Sequence, residues 1–108
     1  MTASTLFWQL AAELQAENAA VVEGTIMKGR CLRVGAEFLA LVDYKDNGLV
    51  VKLSRARVDA LIASGEGRPF GPAGKVFREW VSLPVVDRER WLAVLREGVA
   101  YASGGAAR

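Results

Sequence analysis

The sequence predicts an α+β fold, a two-layer sandwich in which a mostly antiparallel sheet carries helices packed on one face. Three observations predict it. A hairpin pattern occupies residues 37–53, with Asn47-Gly48 at its centre. Apolar residues recur at helical spacing near both ends of the chain and again directly after the hairpin. Short β-branched runs broken by glycine lie between the first helical stretch and the hairpin, and one more precedes the last helix. The order is then helix, three or four strands, helix, strand, helix.

The first helix is expected to be capped by Ser4 or Thr5, with Phe7, Leu10, Ala11 and Leu14 forming its apolar stripe and Trp8 beside it. The stripe reads as a helix packing on the sheet; a partner-binding or swapped helix is the sharper alternative. A strand is expected from Ala20 to Lys28, with Gly24 a candidate bulge and Gly29 ending it. Cys31 to Val34 is the second strand, and Gly35-Ala36 suits a type II′ turn, which wants glycine first. That turn puts Leu32 and Val34 on one face with Leu39 and Leu41. It also puts Arg33 and Cys31 on the Phe38 face, a conflict that a bulge or a snorkelling Arg33 would remove.

In the hairpin, an Asn47-Gly48 turn makes Asp46 face Leu49, Tyr44 face Val51, Asp43 face Lys52 and Val42 face Leu53. One face then carries Phe38, Ala40, Val42, Tyr44, Val51 and Leu53. The other carries Leu39, Leu41 and Val50 among charged residues, so either another element or another subunit covers part of it.

After the hairpin, Ser54 is expected to N-cap a helix running to Ser64, with Val58, Leu61 and Ile62 buried and Gly65 at C′. Residues 65–75 read as a loop, because prolines and glycines at that density oppose a regular element. Val76 to Leu83 is the next strand, stopped by Pro84. Asp87 N-caps the last helix, Val86 and Trp91 suit a hydrophobic staple, and Leu92, Leu95, Val99 and Ala102 continue its buried stripe. The domain is expected to span residues 1–102, with 103–108 a frayed tail.

Composition narrows the function classes. The 108 residues are 52% hydrophobic and 24% charged, values of a single globular domain. The net charge of +2 is too balanced to call nucleic-acid binding from charge. No apolar run approaches the roughly 20 residues of a membrane helix, and Glu13 and Glu17 interrupt the only segment resembling a leader. A lone cysteine, Cys31, fits a reducing cytoplasm. The chain has no histidine, which removes Ser-His and Cys-His nucleophile pairs and histidine-ligated metals. No catalytic residue, metal or cofactor is expected, and the chain is read as non-enzymatic.

From Gly24 to Tyr101 the sequence resembles the TfoX (Sxy) N-terminal-domain family, related to the YjbR/MmcQ-like proteins. The strings that carry the resemblance are Met27-Lys28-Gly29, Leu32-Arg33-Val34-Gly35 with Phe38-Leu39-Ala40-Leu41, and Gly48-Leu49-Val50-Val51-Lys52-Leu53. They continue in Arg57-Val58-Asp59-Ala60-Leu61, Gly65-Glu66-Gly67-Arg68-Pro69-Phe70, Lys75, Glu79-Trp80-Val81 and Trp91-Leu92. Family members usually have phenylalanine and glycine where this chain has Lys28 and Gly29. The resemblance implies a YgaC/TfoX-N-like fold and a small interaction or regulatory module. It implies no reaction, and the competence role of two-domain members does not carry over.

Two candidate sites follow. Leu32, Val34, Leu39, Leu41 and Val50 form a second apolar sheet face, expected to support a homodimer or another protein partner. Lys52, Arg68 and Lys75 could converge on an anion if the 65–75 loop folds over the sheet end, helped by glycine amides and the helix start after Ser54. Asp43 opposite Lys52 argues against that site. Nucleic-acid binding through Arg68, Lys75 and Arg78 is the alternative, motivated by a pI near 9.0. Gly65-x-Gly67-x-x-x-Gly71 has the wrong spacing for a phosphate loop and follows a helix. Glu66 and Glu79 have no spacing that supports acid–base chemistry. Cys31 reads as core, and Trp80 and Trp91 as large anchors buried in the core or an interface rather than stacking on bases.

Overall fold

The computed structural model describes residues 2–26, 29–43, 48–71 and 77–104. The helical stripes become α1 (Ala3–Glu17), α2 (Arg55–Ala63) and α3 (Arg88–Ala102). The β-branched runs become β1 (Val21–Ile26), β2 (Gly29–Val34), β3 (Glu37–Asp43), β4 (Gly48–Lys52), β5 (Arg68–Pro69) and β6 (Trp80–Leu83). All pairings are antiparallel, in the order β1-β2-β3-β4-β6-β5. The fold class is α+β as expected: an open sheet with three helices packed against it.

One cluster holds the main core. Phe7, Leu10 and Leu14 of α1, Val58 and Leu61 of α2, and Trp91 and Leu95 of α3 meet strand residues including Val51, Val81 and Leu83. Because all three helices enter that cluster, they lie on the same face of the sheet. α3 comes closest. A Cβ built on Gly98 would lie 2.8 Å from Leu39 Cδ1 and 3.0 Å from Val51 Cγ2, so only hydrogen fits where this helix crosses β3 and β4. Trp91 is fully buried, and its indole N–H donates to the Val85 carbonyl at 2.9 Å, which satisfies its one polar atom.

The caps mostly follow local chemistry. Ser54 and Asp87 accept from the backbone N–H groups of Arg57 and Arg90, as expected. Gly65, at C′ of α2, has φ +84. The first cap differs: Thr2, not Ser4 or Thr5, accepts from the Thr5 N–H at 3.0 Å, and the helix starts at Ala3. The expected staple is not made in full, since Trp91 is buried while Val86 is 45% exposed.

The hairpin register departs from the expected one. Asp43 pairs with Gly48, Val42 with Leu49, Leu41 with Val50 and Ala40 with Val51. Gly48 is therefore a strand residue paired with Asp43, not the second residue of a two-residue turn. The offset from the expected pairing is even, so each residue of β4 keeps its face. Gly48 belongs to the strand, where close approach explains it: a Cβ there would lie 3.1 Å from both the Leu83 carbonyl oxygen and Ser82 Oγ on β6. The expected Asp43–Lys52 pair does not form across the hairpin, and residues 44–47 lie outside the described residues.

A bulge in β3 changes the face that Phe38 belongs to: Cys31 and Arg33 stay on the Phe38 face as expected, but that face no longer includes Ala40 and Val42. Leu32 pairs with Ala40 but its neighbour Arg33 pairs with Phe38, so Leu39 is an extra residue. Leu39 and Ala40 both join the helix-side core, while Phe38 and Leu41 fall on the other face with Cys31 and Val50. Gly24, the expected bulge, pairs in unbroken register with Cys31. The Gly35-Ala36 turn keeps its expected pairing, Val34 with Glu37, and Gly35 has φ +59.

Two further expectations shift. The sixth strand begins at Trp80 rather than Val76, because residues 77–80 make a turn in which the Trp80 N–H donates to the Phe77 carbonyl at 3.1 Å. Within the expected loop, Arg68 and Pro69 form a two-residue edge strand beside Ser82 and Val81. Proline is admissible there because an edge strand has one side without ladder bonds.

Candidate functional site

The face without helices carries an aromatic cluster. Phe38 of β3 stacks on Trp80 of β6 at 4.2 Å, and Phe70, just after β5, stacks on Trp80 at 5.5 Å. β3 and β5 lie on opposite sides of β6, so the indole is approached by a ring from each side. Phe77 meets Trp80 edge-on at 5.0 Å, and its N–H donates to the Phe70 carbonyl at 2.9 Å. Phe70 and Trp80, with Ile26, pack on the cluster of Cys31, Phe38, Leu41 and Val50. An indole engaged this way is a poor platform for an incoming base.

Where this face ends, the last turn of α3 passes the strand termini and leaves a cavity of about 250 Å³. It is lined by Glu37, Phe38, Lys52, Tyr101, Ala102 and Gly104. Glu37 opens β3 and Lys52 closes β4, so two strand ends bring opposite charges together. Lys52 Nζ stands 3.9 Å from the Glu37 carboxylate. That is an ion pair but beyond hydrogen-bond length, so the three N–H donors of the ammonium remain available. Phe38 supplies an aromatic wall.

Tyr101 closes the other side. Its hydroxyl donates to the Glu79 carboxylate, tying the end of α3 to the turn before β6. This hydrogen bond, then partial burial, then the Glu79 charge hold the Tyr101 phenol above its usual pKa, so it stays neutral. The phenol oxygen can still accept. Two carbonyls at this helix end are already used: Val99 accepts from the Ser103 N–H and hydroxyl, and Tyr101 from the Gly104 N–H.

The expected anion donors meet different fates. Lys52 lines the cavity, with Glu37 rather than Asp43 as its carboxylate partner. Arg68 is exposed and pairs with Ser82 on the far side of β6 from Lys52, so the two do not converge. Lys75 and Lys28 lie outside the described residues. Arg30 lies 3.9 Å over the Trp8 ring and makes a two-point contact with Glu23.

The expected interface residues split across the sheet. Leu32, Val34 and Leu39 lie beneath the helices, while Leu41 and Val50 lie in the aromatic-side cluster. They do not form one face, because the bulge at Leu39 resets the alternation.

Among the described residues, four of the five arginines on the helices, all but Arg55, are in ion pairs. Arg57 engages Glu97, Arg90 engages Glu66, Arg88 engages Glu13 and Arg96 engages Glu17. Among the described residues no group of three or more Cys, Asp or Glu is placed to hold a metal ion, and no helix is long and apolar enough to cross a membrane.

Glu37, Tyr101 and Glu79 were not singled out from the sequence for this site. A corrected strand register would have moved attention from Asp43, but the arrival of Tyr101 depends on where α3 ends in space. Comparison with protein-family models, with curated proteins and with solved structures gives no match to this chain.

Proposed function

We propose that this chain is a small non-enzymatic interaction module whose ligand site is the Lys52 cavity. It takes a small molecule bearing an anionic group, a hydrogen-bond donor and an apolar body. The carrying observation is the under-used ammonium: Lys52 stands 3.9 Å from Glu37 at the wall of a cavity backed by Phe38 and Tyr101. The anion engages Lys52, the donor engages Glu37, and the apolar body lies on Phe38. A regulatory role fits the resemblance to the TfoX N-terminal-domain family, which rests on the sequence strings quoted above.

The test is an amide chemical-shift titration with small carboxylates and phosphate monoesters. The expected result is shifts at Glu37, Phe38, Lys52 and Tyr101 that disappear in Lys52→Ala. Shifts spread over the surface, or unchanged by Lys52→Ala, would count against it.

The second reading is nucleic-acid binding. It is favoured by Arg68 and Arg78, both exposed and in no ion pair among the described residues. Binding of this kind weakens steeply with salt. A low-salt titration with single- and double-stranded DNA and with RNA that shows no binding ends this reading.

A further inference from the structure

The two edges of the sheet are unlike. β5 is two residues long and contains Pro69, which blunts it. β1 is six residues long, has no proline and, among the described residues, pairs only with β2. Its backbone directions follow from one bond: the Gly35 N–H donates to the Ala20 carbonyl at 2.9 Å, in the same register that pairs Val21 with Val34. Groups of Ala20, Val22, Gly24 and Ile26 therefore point at β2, and those of Val21, Glu23 and Thr25 point outward.

One side chain occupies that outward edge. Arg33 lies on the aromatic face, crosses Gly24 and donates to the Thr25 carbonyl at 2.8 Å. It also donates to the Ala36 carbonyl at 3.4 Å. The crossing requires glycine, because a Cβ at position 24 would lie 2.5 Å from Arg33 Nε and 2.8 Å from its Cδ. Arg33 thus leaves an apolar face by capping a free carbonyl of the edge strand.

The edge it caps is self-complementary. Two copies of β1 can pair antiparallel about a two-fold axis normal to the sheet that passes between their Gly24 residues. Glu23 of each copy then faces Thr25 of the other, and both are outward-pointing, so they exchange ladder hydrogen bonds. Val22, which is 41% exposed, faces Ile26 of the other copy on the aromatic side. Sliding the axis to Glu23 would oppose two carboxylates instead, so the Gly24 register is selected. In it the Thr25 carbonyl must accept the Glu23 N–H of the other copy, and that is the oxygen Arg33 holds.

We propose that the free edge of β1 is a strand-pairing surface for a second copy of this chain, and that Arg33 holds it closed. This is independent of the Lys52 cavity, which lies at β3, β4 and α3.

The test is sedimentation of the full chain at micromolar concentration, with circular dichroism to check folding. The wild type runs as a monomer. Arg33→Ala and Gly24→Ala each give twice the chain mass, the first by removing the cap and the second by displacing it with a methyl group. Adding Val22→Lys to Arg33→Ala restores the monomer, and the Glu23 and Thr25 amides gain hydrogen-exchange protection only in the dimer. A wild-type dimer overturns the proposal. So do folded Arg33→Ala and Gly24→Ala proteins that both stay monomeric, or an Arg33→Ala dimer that Val22→Lys does not dissociate.

Discussion

The two faces of one sheet are built differently. The helix side is aliphatic, continuous and closed by three helices, with Gly98 letting α3 approach to contact distance. The other side is a smaller cluster, Cys31, Phe38, Leu41 and Val50, overlaid by half-buried rings. The same strands supply both. What divides them is one extra residue in β3, which hands Leu39 and Ala40 together to the helices and returns Leu41 to the aromatic side. Alternation therefore assigns a face only between bulges, and a site can be built on the less fully covered face.

The largest expected effect lies on the helix side. Trp91→Ala removes a fully buried indole that also satisfies Val85, and should cost about 3–5 kcal/mol in urea unfolding. Trp80→Ala removes the same side chain from the half-buried face and should cost roughly 2 kcal/mol, since part of its surface is already wet. Equal losses at the two tryptophans would erase the distinction between the faces. Gly98→Ala is a finer probe. Helix propensity alone predicts a gain of up to about 1 kcal/mol, while crowding against Leu39 and Val51 predicts a net loss of about 1–2 kcal/mol. A stabilised Gly98→Ala protein would mean that α3 stands further from the sheet.

The smallest effect concerns Tyr101. Its pKa is raised, chiefly by the hydrogen bond to Glu79, so the fold favours the neutral phenol. That contribution is complete below the ordinary tyrosine value of about 10 and is lost as pH rises through the raised value. Ultraviolet titration should show Tyr101 ionising above the usual range, and Glu79→Gln should bring it back down. An unmoved titration in Glu79→Gln would remove Glu79 as the cause.

Much of the architecture was legible because local chemistry wrote it. The stripe Phe7, Leu10, Ala11, Leu14 gave α1, while Ser54, Gly65 and Asp87 gave the helix ends. The hairpin register was not legible, because Gly48 carries the signature of a tight turn while serving a close strand contact. The bulge was signalled only indirectly, by the expectation that Arg33 and Cys31 share the Phe38 face, which holds once Phe38 is separated from Ala40 and Val42. At the candidate site, Lys52 was readable as a cation at a strand end. Glu37 and Tyr101 were not, because they reach it through strand pairing and the end of a distant helix, which no local pattern records.

The division of the sheet at Leu39 can be read directly from methyl contacts. With leucine methyls labelled, nuclear Overhauser spectra should connect Leu39 to Gly98 of α3, and Leu41 to Cys31 and Val50 but to no residue of α3. Leu39 and Leu41 both reporting α3, or both reporting the aromatic side, would contradict the bulge and with it the account of the two faces.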